Sequence, residues 1–252
     1  MTIELSDKMT PVTNKELIES LWYGWLHLFG TPPKKEAIWI LMSQWALETG
    51  WGKSMHNYNL GNAKSRDGDG FDYSYFICGE IVPTKYGEQL QSASPQTAKI
   101  KAYRQNGTCI IYFYPKHSGC RFRAFSNLQE GTVDHIGLVY KRFNKSWPAL
   151  LTGNPDLYAV ALKSQGYYTA DVHTSQGTGY ADVLIKIYHT VSEIEFDYDS
   201  LSPLTEEARQ QLSNMVLLTI QQSVNDYLGD IYHTSDTDPN DLKSSDMDEI
   251  DK

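Results

Sequence analysis

Apolar residues recur at helical spacing near the start of the chain and again after residue 126. Leu17, Leu21, Trp22, Trp25 and Leu28 share one face of a predicted helix. Thr13 opens it, with Glu16 three residues on as a capping box, and Gly30 stops it. Thr31 is the expected cap of a second helix, with Pro32 and Pro33 in its first turn. Its apolar stripe is Ile38, Leu41, Met42 and Trp45, and Gly50 ends it. Between Asp67 and Phe125 the texture changes to short aromatic and β-branched runs broken by Gly, Pro, Asn and Ser. That pattern predicts a small antiparallel sheet with a long loop around 83–98. Helices return with Ser126 opening one to about Phe143. Asn154 and Pro155 open a second, closed by Gly166, and "TGYADVLIKIYHTV" forms a third. Ser202 and Pro203 begin a last amphipathic helix to about Leu228. The order is helices, β-excursion, helices: an α+β fold, mainly helical, with a small antiparallel β-lobe inserted between helices. We assign 1–195 to this domain, with the lobe at about 67–125. Residues 196–234 are an amphipathic appendix behind the acidic "SEIEFDYDS", and 235–252 an acidic tail.

Charge sharpens this division. The chain carries −9 over 252 residues, and −5 of that falls between Asp236 and Lys252. Residues 1–235 carry only −4, and no basic patch of the kind nucleic acid needs stands out in this count. The tail reads as solvated chain, or as a docking element. The three cysteines, Cys78, Cys109 and Cys120, are odd in number and form no CxxC pair, so a disulfide framework is not expected. With His117 they are also a candidate zinc set, at a spacing that fits no standard finger. The opening "MTIELSDKMTPVTNKE" has no signal-peptide pattern, and no apolar run is long enough to span a membrane. The expectation is synthesis in the cytoplasm and exit by another route.

The second helix poses the chemical question. Glu48 lies three residues after Trp45 and seven after Leu41, on the face of the apolar stripe. An acid there is costly unless it is paired or opens on a cleft. Burial and the negative field of a helix C-terminus both raise its pKa. A carboxyl group still protonated near neutrality is what a glycosidase uses to protonate a leaving oxygen. The same acid could instead sit at a frayed helix end and reach Lys53.

The residues around it resemble a known family. "ALETGWGKSMHNYNLGNAK" is similar to the A-x-E-[ST]-G-W-G…N-L-F-G-x-K signature of the flagellar and autolysin-type β-N-acetylglucosaminidases, glycoside hydrolase family 73 of the lysozyme-like superfamily. "FRAFSNLQEGTVDHIGLV" resembles that family's F-R-x-Y-x-S-x-x-E-[AG]-x-x-D-H segment. "LKSQGYYTAD" with "GYADVLIKIY" resembles its L-x-x-x-G-Y-A-T-D…Y-A-x-K-L segment. Together they cover about residues 36–190. The resemblance implies a lysozyme-like fold and cleavage of β-1,4 bonds in peptidoglycan, with no metal or organic cofactor. It implies Glu48 as the catalytic acid and Tyr180 as a tyrosine beside it. Glu80 is the choice for the second carboxylate, with Asp69, Asp72 and Glu88 left open.

Trp51, Asn59, Asn62, Tyr75 and Tyr168 are candidate substrate-binding residues. Burial of Trp51 and turn stabilisation by the asparagines, Asn57 included, are the alternatives. His135 is expected to pack within its helix. Two departures stand out. The family's N-L-F-G reads N-L-G-N, and the link between "YYTAD" and "GYAD" is long, with Gly177 and Gly179 expected to make it flexible. A phage-borne lysin or virion enzyme is the favoured setting, with the last helix and tail attaching it to virion or tail proteins. A non-catalytic glycan-binding virion component and a lytic transglycosylase are the rival readings.

Overall fold

The computed structural model describes residues 2–201, so the predicted helix from Ser202 and the acidic tail lie outside the described residues. Helix α1 spans Asn14–Phe29, with Thr13 and Glu16 exchanging both capping-box bonds and Gly30 left-handed at its end. Helix α2 spans Lys35–Thr49. Its cap is Lys34 and not Thr31, because the Pro32–Pro33 pair holds the chain extended until then. The predicted one-sided stripe is also too narrow. Ala37, Ile38, Ile40 to Ala46 and Thr49 are all buried, so α2 is the central helix of the body. Two of its polar members find partners inside the body: Ser43 donates to the Trp39 carbonyl at 2.6 Å and the Gln44 side-chain oxygen accepts from Tyr158 at 2.6 Å.

The lobe follows. Strands β1 (Tyr73–Tyr75), β2 (Cys78–Pro83), β3 (Ala98–Tyr103), β4 (Thr108–Phe113) and β5 (Arg121–Arg123) form two antiparallel sheets. One pairs β1 with β5, and the other has the order β2–β4–β3. The expected loop at 83–98 contains a helix, α3 (Thr84–Ala93). Gly87 lets α3 close on the sheet, since a Cβ there would stand 2.3 Å from the Cys109 sulfur.

The body resumes with α4 (Leu128–Arg142), capped by Asn127 rather than Ser126, then α5 (Trp147–Leu151), α6 (Pro155–Ser164) and α7 (Tyr180–Ser192). Helix α5 was not expected, because it is short and follows a 3-10 turn. Helix α1 packs on α4, and α7 packs on both α2 and α6. One large apolar cluster unites these helices, and a smaller one holds the lobe. The acidic segment after α7 lies on this body: Phe196 and Tyr198 pack against it, and Trp39 donates to the Tyr198 hydroxyl at 3.1 Å.

The long link before α7 is pinned rather than loose. His173 sits between Asp182 at 2.8 Å and Asp156 at 3.0 Å, and Lys186 donates to the Gly177 carbonyl at 2.7 Å. The three thiols are free and turned to separate neighbours. Cys78 donates to the Gly119 carbonyl, Cys120 to the His117 carbonyl, and Cys109 faces Gly87. The candidate zinc set is therefore not assembled, and among the described residues no three His, Cys, Asp or Glu side chains group to hold a metal ion.

Helix α4 seats on the asparagine-rich loop through Gly131, where a Cβ would fall 1.9 Å from the Tyr58 carbonyl oxygen. Gly137 of the same helix meets nothing within 4 Å. Gly131→Ala should lower unfolding stability by about 1–3 kcal/mol through overpacking. Gly137→Ala should be neutral or stabilising by up to about 1 kcal/mol through helix propensity. Urea denaturation of both variants checks the contrast; equal midpoints would refute it.

Candidate active site

Glu48 occupies the last turn of α2, and the turn beyond it is built to end the helix sharply. Gly50 is left-handed, and Thr49 donates to the Trp45 carbonyl at 2.6 Å while accepting from the Gly52 amide at 2.9 Å. Gly52 has φ +77°, and a Cβ there would stand 2.9 Å from the Trp45 indole. The two glycines of G-W-G are thus fixed by backbone and by packing. Trp51 between them has φ 61° and is 37% exposed. It packs edge-on against Trp45 and stays partly exposed, so it is neither buried nor among the residues that line the cleft, and its candidacy as a substrate-binding residue is corrected.

That cleft has a volume of about 480 Å³ and lies between the helical body and the lobe. Glu48, Asn62, Lys64, Glu80, Tyr168 and Tyr180 all line it. The Tyr180 hydroxyl, on the first residue of α7, donates to a Glu48 carboxylate oxygen at 3.0 Å. Tyr168 stacks on the Tyr180 ring, with centroids 3.8 Å apart and planes 11° from parallel. Asn62 donates to the Glu48 backbone carbonyl at 2.7 Å, completing a helix end that would otherwise keep a bare acceptor. Burial pushes the Glu48 carboxyl up to about 7, and the hydroxyls of Tyr180 and Tyr167 pull the other way.

Glu80 reaches the cleft from β2, and its carboxylate is 3.0 Å from the Lys64 ammonium. Lys64 is a junction. It also donates to the Gly119 carbonyl, approaches the Cys78 sulfur at 3.7 Å and lies 4.0 Å over the Phe122 ring. It thereby ties β2 to β5. The other acids left open go elsewhere. Asp69 caps its own loop through the Arg66 and Phe71 amides, Asp72 accepts from the Ile3 amide, and Glu88 lies on α3.

Two further candidate binding residues are corrected by the structure. Asn59 is 1% exposed, and its amide group bonds only backbone, at Ala63 and the Arg123 carbonyl, so it fixes the loop and meets no ligand. Tyr75 packs edge-on against Tyr73 in β1 and is not a cleft residue. Asn57 likewise holds the N-terminal segment, at the Lys8 amide and the Ser6 carbonyl. His135 is buried behind the loop, which pushes its pKa down to about 4 and keeps it neutral.

Tyr167 was missed. Its hydroxyl is buried beside Glu48, without completing a hydrogen bond of good geometry. Gly61, where the family motif has phenylalanine, makes room for it: a Cβ there would stand 3.0 Å from His135 Nδ1 and 3.5 Å from that hydroxyl. The departure from the motif was the available signal.

A C-terminally truncated glycoside hydrolase domain of FlgJ from Salmonella typhimurium aligns at 18% identity, covering 73% of this chain and 100% of that one, with a TM-score of 0.40. No match was found among curated proteins. The Glucosaminidase family, described as mannosyl-glycoprotein endo-beta-N-acetylglucosaminidase, matches residues 36–193. That span is more than half of the sequence and holds every residue of the cleft, and the chain belongs to this family of glycoside hydrolases, of the flagellar and autolysin type.

Proposed function

We propose that this glycoside hydrolase cuts β-1,4 bonds of the bacterial wall glycan, with Glu48 as proton donor and Glu80 as the second carboxylate. The observation that carries this reading is a carboxyl group held near pKa 7 by burial on the wall of an open cleft. Glu48 gives its proton to the glycosidic oxygen as the bond to the anomeric carbon breaks. The Tyr180 hydroxyl then stabilises the carboxylate left behind, and the Tyr168–Tyr180 stack offers an aromatic wall to a sugar ring. Glu80, held by Lys64 on the lobe side, activates water on the other face of the ring. A second carboxylate in the same cleft supports hydrolysis over transglycosylation, which uses one glutamate, and over a role limited to glycan binding. Mass spectrometry of products from purified walls tests all three. We expect reducing N-acetylglucosamine ends, and at least a hundredfold less product from Glu48→Gln, the scale of losing a general acid. Anhydromuramyl ends, or equal release by the variant, would overturn the assignment.

The ionisation of Glu48 gives a second expectation. As an acid it works only while protonated, so kcat/KM should fall as pH rises through about 7. Tyr180→Phe removes a bond that favours the carboxylate, so this alkaline limb should move to higher pH. Stability follows the same group. The unfolded chain releases this proton near 4.5 and the folded chain near 7, so folding weakens as pH rises between them. The loss is about 3 kcal/mol at about 1.4 kcal/mol per unit. Glu48→Gln should therefore unfold at a higher temperature than wild type at pH 8, and at the same temperature below pH 4. Calorimetry at both pH values reads this, and an unchanged difference would refute the buried acid.

The setting is a finer proposal. We place the enzyme in a phage particle or lysis system, with residues 203–252 attaching it to virion or tail proteins and the host wall as its site of action. The amphipathic spacing and acidity of that segment support this reading. Deleting 203–252 should leave wall hydrolysis intact and remove the protein from purified particles; retention in them would refute the attachment role.

A further inference from the structure

The stretch from β1 through β5 is basic on an acidic chain, although the lobe counted from Asp67 carries only +2 because Asp67, Asp69 and Asp72 precede β1. Between Tyr73 and Phe125 there are seven Lys and Arg against Glu80 and Glu88, a net +5, so the rest of the chain carries −14. Arg121 and Arg123 are paired with Asp67 and Asp134. Lys99 and Lys101 are placed differently. Along β4, Cys109, Ile111 and Phe113 are buried beneath α3 and the small core, which leaves Ile110, Tyr112 and Tyr114 on the opposite face. Lys99 pairs across from Tyr112, on that same face. Its ammonium lies 5.7 Å from the Tyr114 ring, and that of Lys101 lies 5.9 Å from Tyr112 and 5.7 Å from Tyr114. Gly79, opposite Tyr112, allows the ring to lie down on β2, since a Cβ there would be 3.0 Å from it. Ile81 beside it is 56% exposed.

A wet face of an antiparallel sheet usually mixes charges of both signs. This one has ammonium groups and rings, and both acids between β1 and β5 lie off it: Glu80 pairs across from buried Ile111, and Glu88 is on α3. Lysines spaced by aromatics suit an anionic polymer that also offers apolar surface. The neutral N-acetyl sugars of a glycan give an ammonium nothing to pair with. The carboxylates on the peptide stems of a wall do.

We propose that the outer face of the β2–β4–β3 sheet is a second contact surface for the wall, taking stem carboxylates on Lys99 and Lys101 while the cleft takes the glycan. The inference rests on the wall being the substrate. It holds an insoluble, carboxylate-rich polymer to the lobe that carries Glu80.

Cosedimentation of the full chain on ice tests it, with walls whose carboxyl groups are free or blocked as amides. Wild type should bind free walls roughly tenfold more tightly than blocked ones at low salt, with the difference vanishing near molar salt. Lys99→Gln with Lys101→Gln should bind both walls as wild type binds blocked ones, and Lys99→Arg with Lys101→Arg should restore the difference. Wild-type retention by the glutamine pair would overturn the proposal, as would tighter binding to single-stranded DNA than to walls. Protection of the two lysines from acetylation that requires residues 236–252 rather than walls would assign the face to the chain's own acidic segment, and would also overturn it. Reducing-end release is followed in parallel. No release from either wall defeats the hydrolase reading, whereas normal release with unchanged retention defeats this surface alone.

Discussion

The structure is organised around an unfavourable placement: a carboxyl group at the end of a helix that is buried on nearly every side. Water would stabilise the ionised form, and the surrounding apolar groups do not. The site persists because the body is large enough to bear it. Helix α2 is enclosed by neighbours that include α1, α5 and α7, with Trp45, Ile38, Leu41 and Met42 essentially inaccessible. The helix ends in one turn, where Thr49, Gly50 and Gly52 stop it at the point where Glu48 faces the cleft. A longer helix would carry the chain past the opening, and a frayed one would let water reach the carboxyl group and remove its raised pKa.

The two carboxylates are positioned by one loop. Asn62 holds the backbone of Glu48, and two residues later Lys64 holds the side chain of Glu80. Asn59 fixes the start of that segment by joining Ala63 to the Arg123 carbonyl of the lobe. Helix α4 presses on the same loop through Gly131. Body and lobe are thus tied through a few consecutive residues, and a shift there would change the separation of the two acids. The pinned link before α7 does the same for Tyr180, because Asp182, bound to His173 and to the Thr174 and Gly179 amides, sets where the helix begins.

Much of this was legible in the sequence, and the exceptions have physical reasons. Side-chain caps and left-handed glycines, as at Thr13, Asn154, Gly30 and Gly50, are local and were read correctly. The helix start at Lys34 was not, since an exposed lysine carries no capping signal. Helix α3 is polar on average, short, and has glycine within it, so its sequence reads as a loop, and it owes its place to Cys109 across the sheet. Glu48 stood out because an acid on an apolar face is anomalous. Asn59 and Asn62 could not be told apart, because the same amide group serves a backbone turn or a ligand equally well, and only the fold decides which is buried. Tyr167 and Lys64 were hidden for a related reason: their partners are distant in sequence. The positive charge between β1 and β5 was masked by summing over a chain whose remainder is strongly acidic.

The cleft separates its two acids by environment. Glu48 is surrounded by rings and apolar side chains, and hydroxyls are its polar neighbours. Glu80 is exposed on a strand beside an ammonium that is itself fixed by a carbonyl and a ring. One environment keeps a proton near neutrality; the other places a carboxylate where water can reach it. Two identical side chains therefore suit the two tasks proposed for them, giving a proton and taking one, because of what surrounds each acid rather than the acid itself. The cations that also line the cleft, Lys64, Arg66, Arg123 and Arg142, fit the same division. None of them is the source of the shift at Glu48, which burial dominates, so the raised pKa of that carboxyl group comes from its own surroundings and not from the charge of the cleft.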